Sequence, residues 1–131
     1  MKAPGLVLPV LMVGALYGAG PAVAAPEEPG CATTVSAPRV IDVSGTAMVS
    51  ASASPGVCNR AEPQLQVVCL QRVGSPLAPM CEEAGGPATA RVILAPYVPG
   101  ASYVATGRSC ANSGSPAVAF CRAAGPVTVT L

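Results

Sequence analysis

Ala47-Met48-Val49-Ser50-Ala51-Ser52-Ala53-Ser54 sets apolar side chains at 47, 49, 51 and 53 against serines at 50, 52 and 54. Successive side chains of a strand point to opposite faces, so this period of two predicts a strand with one face buried. The alternation returns in Val127-Thr128-Val129-Thr130-Leu131. Further short apolar segments near 33–42, 64–72, 89–95, 102–110 and 117–121 are separated by clusters of Gly, Pro and Ser, which punctuate strands. No helical stripe interrupts the series. Seven or eight strands in about a hundred residues is the density of an all-β sandwich.

An internal repeat supports the same reading. Gly74-Ser75-Pro76-Leu77-Ala78-Pro79-Met80-Cys81 and Gly114-Ser115-Pro116-Ala117-Val118-Ala119-Phe120-Cys121 share the pattern G-S-P-x-x-x-Φ-C, where Φ is a large apolar residue. Each copy has a cysteine upstream, Cys69 and Cys110, and a turn downstream, Ala84-Gly85-Gly86-Pro87 and Ala124-Gly125-Pro126. Two copies are too few for a solenoid and read as two similar strand–turn–strand units in one domain. Met80 and Phe120, equivalent in the repeat, read as core plugs.

Six cysteines in a chain of this size predict three disulfides. Partners across an antiparallel hairpin lie symmetrically about its turn. Cys31 with Cys58 centres on Ser44-Gly45, Cys69 with Cys81 on Gly74-Ser75-Pro76, and Cys110 with Cys121 on Ser115-Pro116, all turn residues. Cys58 with Cys69 also centres near a turn, at Pro63-Gln64. Only the sequential pairing treats the two repeat copies alike, and it is the pairing expected. Aromatic residues are few, and a core of small aliphatic side chains makes such staples valuable.

The first residues have the layout of a secretory signal: Lys2, an apolar stretch from Leu6 to Leu16, and small residues at Ala22-Val23-Ala24. Cleavage after Ala24 is expected, giving a signal peptide at 1–24, a flexible lead at 25–31 and a sandwich domain at 32–131. Pro9, Gly14, Gly18 and Gly20 break the apolar run, which is short for a membrane span. Glu28-Pro29-Gly30 before Cys31 is not a lipid-attachment motif, so no membrane anchor is expected after cleavage and the product should be extracellular. Loss of Lys2 would leave six arginines against six carboxylates. With no basic excess or run, a nucleic-acid partner is not indicated. The use of Arg for positive charge alongside abundant Ala, Gly, Pro and Val suggests a GC-rich, actinobacterial source.

The segment Leu94-Ala95-Pro96-Tyr97-Val98-Pro99-Gly100-Ala101-Ser102-Tyr103-Val104-Ala105 resembles the corner before the penultimate strand of fibronectin type III and related immunoglobulin-like domains. Gly125-Pro126-Val127-Thr128-Val129-Thr130-Leu131 is similar to the last strand of such modules. The resemblance implies an immunoglobulin-like sandwich in which the Tyr103 hydroxyl bonds to nearby backbone and pins the corner. The chain departs from that pattern in lacking Trp and in the placement of its cysteines. The resemblance speaks for fold, not function.

Chemistry is limited by composition. The chain contains no His and one aspartate, Asp42, so a Ser-His-Asp or Cys-His constellation is impossible. Glu82-Glu83 before Ala-Gly-Gly-Pro reads as a solvated loop. No Asp-rich run suggests calcium, and neither metal nor cofactor is expected. Arg108 and Arg122 flank the hairpin from Cys110 to Cys121 and would form a small positive edge. Asn59 and Asn112 stand outside any glycosylation triplet.

The expectation is therefore a secreted, non-enzymatic binding module that presents loops on a braced scaffold to an extracellular protein or cell-envelope component. The partner loop expected is Asn112, Ser113, Gly114 and Ser115, polar and closed by a bridge at its base. Two alternatives stand: a protease inhibitor, and a carrier of a small apolar molecule resembling the apoproteins that protect secreted antibiotics.

Overall fold

The structure, a computed structural model, describes residues 28–131; the signal segment and its cleavage point lie outside the described residues. Eight strands account for the fold: β1 (Gly30–Val35), β2 (Arg39–Val43), β3 (Thr46–Asn59), β4 (Glu62–Arg72), β5 (Met80–Gly85), β6 (Ala90–Leu94), β7 (Ser102–Ser113) and β8 (Val118–Thr130). They form two antiparallel sheets and an all-β, disulfide-stapled sandwich.

β1 and β2 are successive halves of one edge, split at Ser36-Ala37-Pro38 and both paired with β3. Proline at the break has no N–H to give a ladder. Ser36 fills the gap: its N–H donates to the Ser52 carbonyl at 2.9 Å, and its Oγ accepts the Ser52 N–H at 2.8 Å. The turn into β3 has φ of 53° at Ser44 and 85° at Gly45. Positive φ at both central residues matches the right-handed twist of the flanking strands. Asp42 supports the turn by accepting the Gly45 N–H at 2.9 Å. On its other side β3 pairs with β6, completing the first sheet.

The second sheet runs β5-β4-β7-β8. Inward residues Val49, Ala51, Ala53, Ala90 and Val92 of the first sheet pack on Val68, Leu70, Tyr103 and Ala105 of the second. Their small size suits a close approach of the sheets, seen at Gly107. A Cβ there would lie 3.2 Å from those of Ala53 and Val35.

Several expectations are corrected. Glu82 and Glu83 belong to a strand, β5, and not to a solvated loop. The segments 117–121 and 127–131 are one strand, β8, kinked at Gly125-Pro126 where the register against β7 shifts. The segment 33–42 is two strands. Met80 is 47% exposed and Phe120 is only half-buried, so neither plugs the core. Each pairs with an inward residue, Leu70 and Ala111 respectively, but β5 and β8 are the sheet's edge strands, where both side chains keep contact with solvent. The edges carry their own protection against stray pairing, with Glu82 opposite inward Val68 on β5 and a proline bulge on β8.

Candidate functional site

All three bridges join residues directly opposed across neighbouring strands of one sheet: Cys31 with Cys58 (β1–β3), Cys69 with Cys81 (β4–β5), and Cys110 with Cys121 (β7–β8). This is the sequential pairing. None spans the sandwich; Cys69–Cys81 and Cys110–Cys121 lie close to the tips of their hairpins and close the 73–79 and 114–117 loops, whereas Cys31–Cys58 fastens the start of β1 to the end of β3.

Strand directions sort the loops into two ends. Residues 60–61, 86–89 and 114–117 lie at one end, and 44–45, 73–79 and 95–101 at the other. At the first end, Asn112, Ser113 and Gly114 line an open cleft of about 590 Å³ with Arg60, Glu62 and Gln64. Ser115 is exposed at the adjoining tip. The Ser113 hydroxyl donates to the Arg60 carbonyl, tying the β7–β8 loop to the β3–β4 turn. Arg60 holds that turn with a positive φ of 48°.

Beneath the cleft the interior is polar. Gln66 and Ser109 are buried, the Ser109 hydroxyl donates to Gln66 Oε1, and Gln66 Nε2 donates to the Gly86 carbonyl at 2.9 Å. The Gly86 N–H in turn donates to the Gln64 carbonyl at 2.8 Å. A buried amide is tolerable when its donors and acceptors are met, and these bonds seat the 86–89 loop against β4. The sequence hides Gln66, because Leu65-Gln66-Val67-Val68-Cys69-Leu70 is apolar on both faces and does not reveal which face is inward.

The second end is built differently. Tyr103 is fully buried, and its hydroxyl accepts the Val98 N–H at 3.0 Å. Tyr97 donates its N–H to the Ala47 carbonyl at 3.2 Å, and Gly100 donates to Leu131 at 2.6 Å, so the 95–101 loop is tied to both sheets. Arg108 and Arg122 do not share an edge. Arg122 pairs with inward Ser109, and its Nη2 donates to the Glu28 carbonyl at 2.7 Å, whereas Arg108 is exposed and pairs with Ala123.

Chemically the first-end cleft offers hydrogen bonding and charge of both signs, from Arg60, Glu62, Gln64 and Asn112. Among the described residues no group of three or more His, Cys, Asp or Glu side chains gathers as a metal site would require. Comparison with family models, curated proteins and solved structures returns no match.

Proposed function

We propose that this chain is a secreted, non-enzymatic binding module with an immunoglobulin-like sandwich, engaging an extracellular protein or cell-envelope component through the end that carries 60–61, 86–89 and 114–117. The observation that carries the reading is the cleft of about 590 Å³ lined by Asn112, Ser113 and Gly114 above the Cys110–Cys121 bridge. A loop with a covalently closed stem loses less conformational entropy on binding than a free one, and that preorganisation raises affinity. The three disulfides favour an oxidising compartment. The immunoglobulin-like assignment is supported by the pairing pattern, with β1/β2, β3 and β6 facing β5, β4, β7 and β8, and by the Tyr103 bond to Val98. The absence of His from the whole chain supports a role in recognition and not catalysis.

The test compares two tips. Asn112→Ala/Ser115→Ala keeps Gly114, whose φ of 85° disfavours a side chain. It should shift stability by less than about 0.5 kcal/mol. It should also reduce capture of the partner from culture supernatant or cell-wall extract, while Ser75→Ala/Leu77→Ala should not. Capture lost only with the second variant would place the site at the other end and overturn the proposal.

A further inference from the structure

We infer that the end carrying 73–79 and 95–101 holds a separate site, a cleft for a small amphipathic carboxylate whose head group meets Arg72 and whose apolar tail lies along Leu77, Met80 and Leu94. The inference is independent of the loop end proposed above.

The cleft is walled by a folded loop. Ser75 N–H donates to the Arg72 carbonyl at 3.1 Å, Leu77 N–H donates to Ser75 Oγ at 3.2 Å, and Gln71 Nε2 donates to the Leu77 carbonyl at 3.2 Å. These bonds hold Leu77 over a cavity of about 280 Å³ between the β4–β5 hairpin and Leu94 of β6. A smaller cavity of about 80 Å³ shares Arg72, Leu77 and Leu94 and reaches Pro96 and Tyr103. Each is smaller than the roughly 300 Å³ at which pockets for drug-sized molecules start, so the space suits only a small ligand. Leu77 is 73% exposed and Met80 47%, although both border an apolar hollow. Clustered exposed apolar side chains beside a concavity mark binding sites more often than scattered ones do.

Arg72 supplies the polar contact. It lines both cavities and is half-buried, yet among the described residues its guanidinium has no hydrogen-bond or ion-pair partner. A guanidinium presents five donors in a planar fork, and a carboxylate satisfies two of them in parallel. Partial removal from water strengthens that pairing relative to one on an open surface. A single cation beside Leu77 and Leu94 fits a ligand with one anionic group and one apolar tail.

The test titrates the oxidised protein with decanoate and, separately, with decanol, both below their aggregation limits, following backbone amides by NMR. Decanoate should shift residues 70–80 and 94 saturably, and decanol should bind at least about tenfold more weakly. Arg72→Gln should erase that difference, and Leu77→Asp, at an exposed tip, should weaken both ligands. Asn112→Ala/Ser115→Ala should bind decanoate as the unaltered protein does. Equal affinity for acid and alcohol, an unaffected Arg72→Gln or Leu77→Asp variant, or shifts centred on 112–117 would overturn the inference.

Discussion

The β4–β5 and β7–β8 hairpins carry the same pattern, G-S-P-x-x-x-Φ-C, with a bridge closing each loop, yet they end at opposite poles of the sandwich. Because β4 and β7 are antiparallel neighbours, a hairpin that leaves the end of β4 must point away from one that leaves the end of β7. Their surroundings then diverge. The 73–79 tip folds over an apolar hollow beside buried Tyr103, whereas the 114–117 tip borders a polar cleft above Gln66 and Ser109. Strand length diverges too: β5 has 6 residues because the chain turns at Gly85-Gly86 and crosses to the other sheet, while β8 has 13 and continues through its bulge along β7. Similar local sequence thus produces similar stems. The tips acquire different chemistry from whatever the other loops bring to that end.

The comparison is broken most strongly at the bridges. Cys69→Ala/Cys81→Ala and Cys110→Ala/Cys121→Ala remove links with sequence separations of 12 and 11, so chain entropy predicts nearly equal losses of about 3 kcal/mol each. Cys31→Ala/Cys58→Ala, with a separation of 27, should lose about 0.7 kcal/mol more. Urea unfolding measures all three. A gap above about 1 kcal/mol between the two hairpin variants would show that native packing, and not loop closure, sets their stability.

A smaller effect separates the two ends. Ser109→Ala strips a donor from the buried Gln66 amide and should cost about 2 kcal/mol, with faster hydrogen exchange at Gly86, whose loop Gln66 holds. Tyr103→Phe removes the acceptor for the part-buried Val98 N–H and should cost about 1 kcal/mol. Its exchange signature should appear at Val98 and leave Gly86 unchanged. If either variant loosened both ends, the poles would form one cooperative unit and the contrast drawn between them would fail.

How much was legible follows from how local each feature is. Alternation along 47–54 predicts a strand with an apolar face, and Val49, Ala51 and Ala53 are buried there, because a strand's two faces follow from its backbone alone; Ala47 at the strand's start is exposed, and Ser50 on the opposite face is buried. Cysteine pairing was legible for the same reason: each bridge closes one hairpin, and the symmetry of a hairpin about its turn is written in residue numbers. β5 was not legible. An edge strand with Met80, Cys81, Glu82 and Glu83 all exposed shows no contrast between faces, so no period betrays it. Met80 and Phe120 occupy inward positions as their apolarity suggests, but which strand becomes an edge is settled by how the sheet assembles.

The sequence by itself determined the strand-forming periodicity, the turn positions and the three local covalent staples, since each depends on neighbours along the chain. Only the tertiary structure decided that Gln66 faces inward to meet Ser109 and that Asn112 shares a cleft with Arg60. It also decided that Arg72 stands beside Leu94 at the rim of an apolar hollow. These depend on two sheets packing face to face, which brings together residues that are far apart in the chain and carry no mark of one another in the sequence.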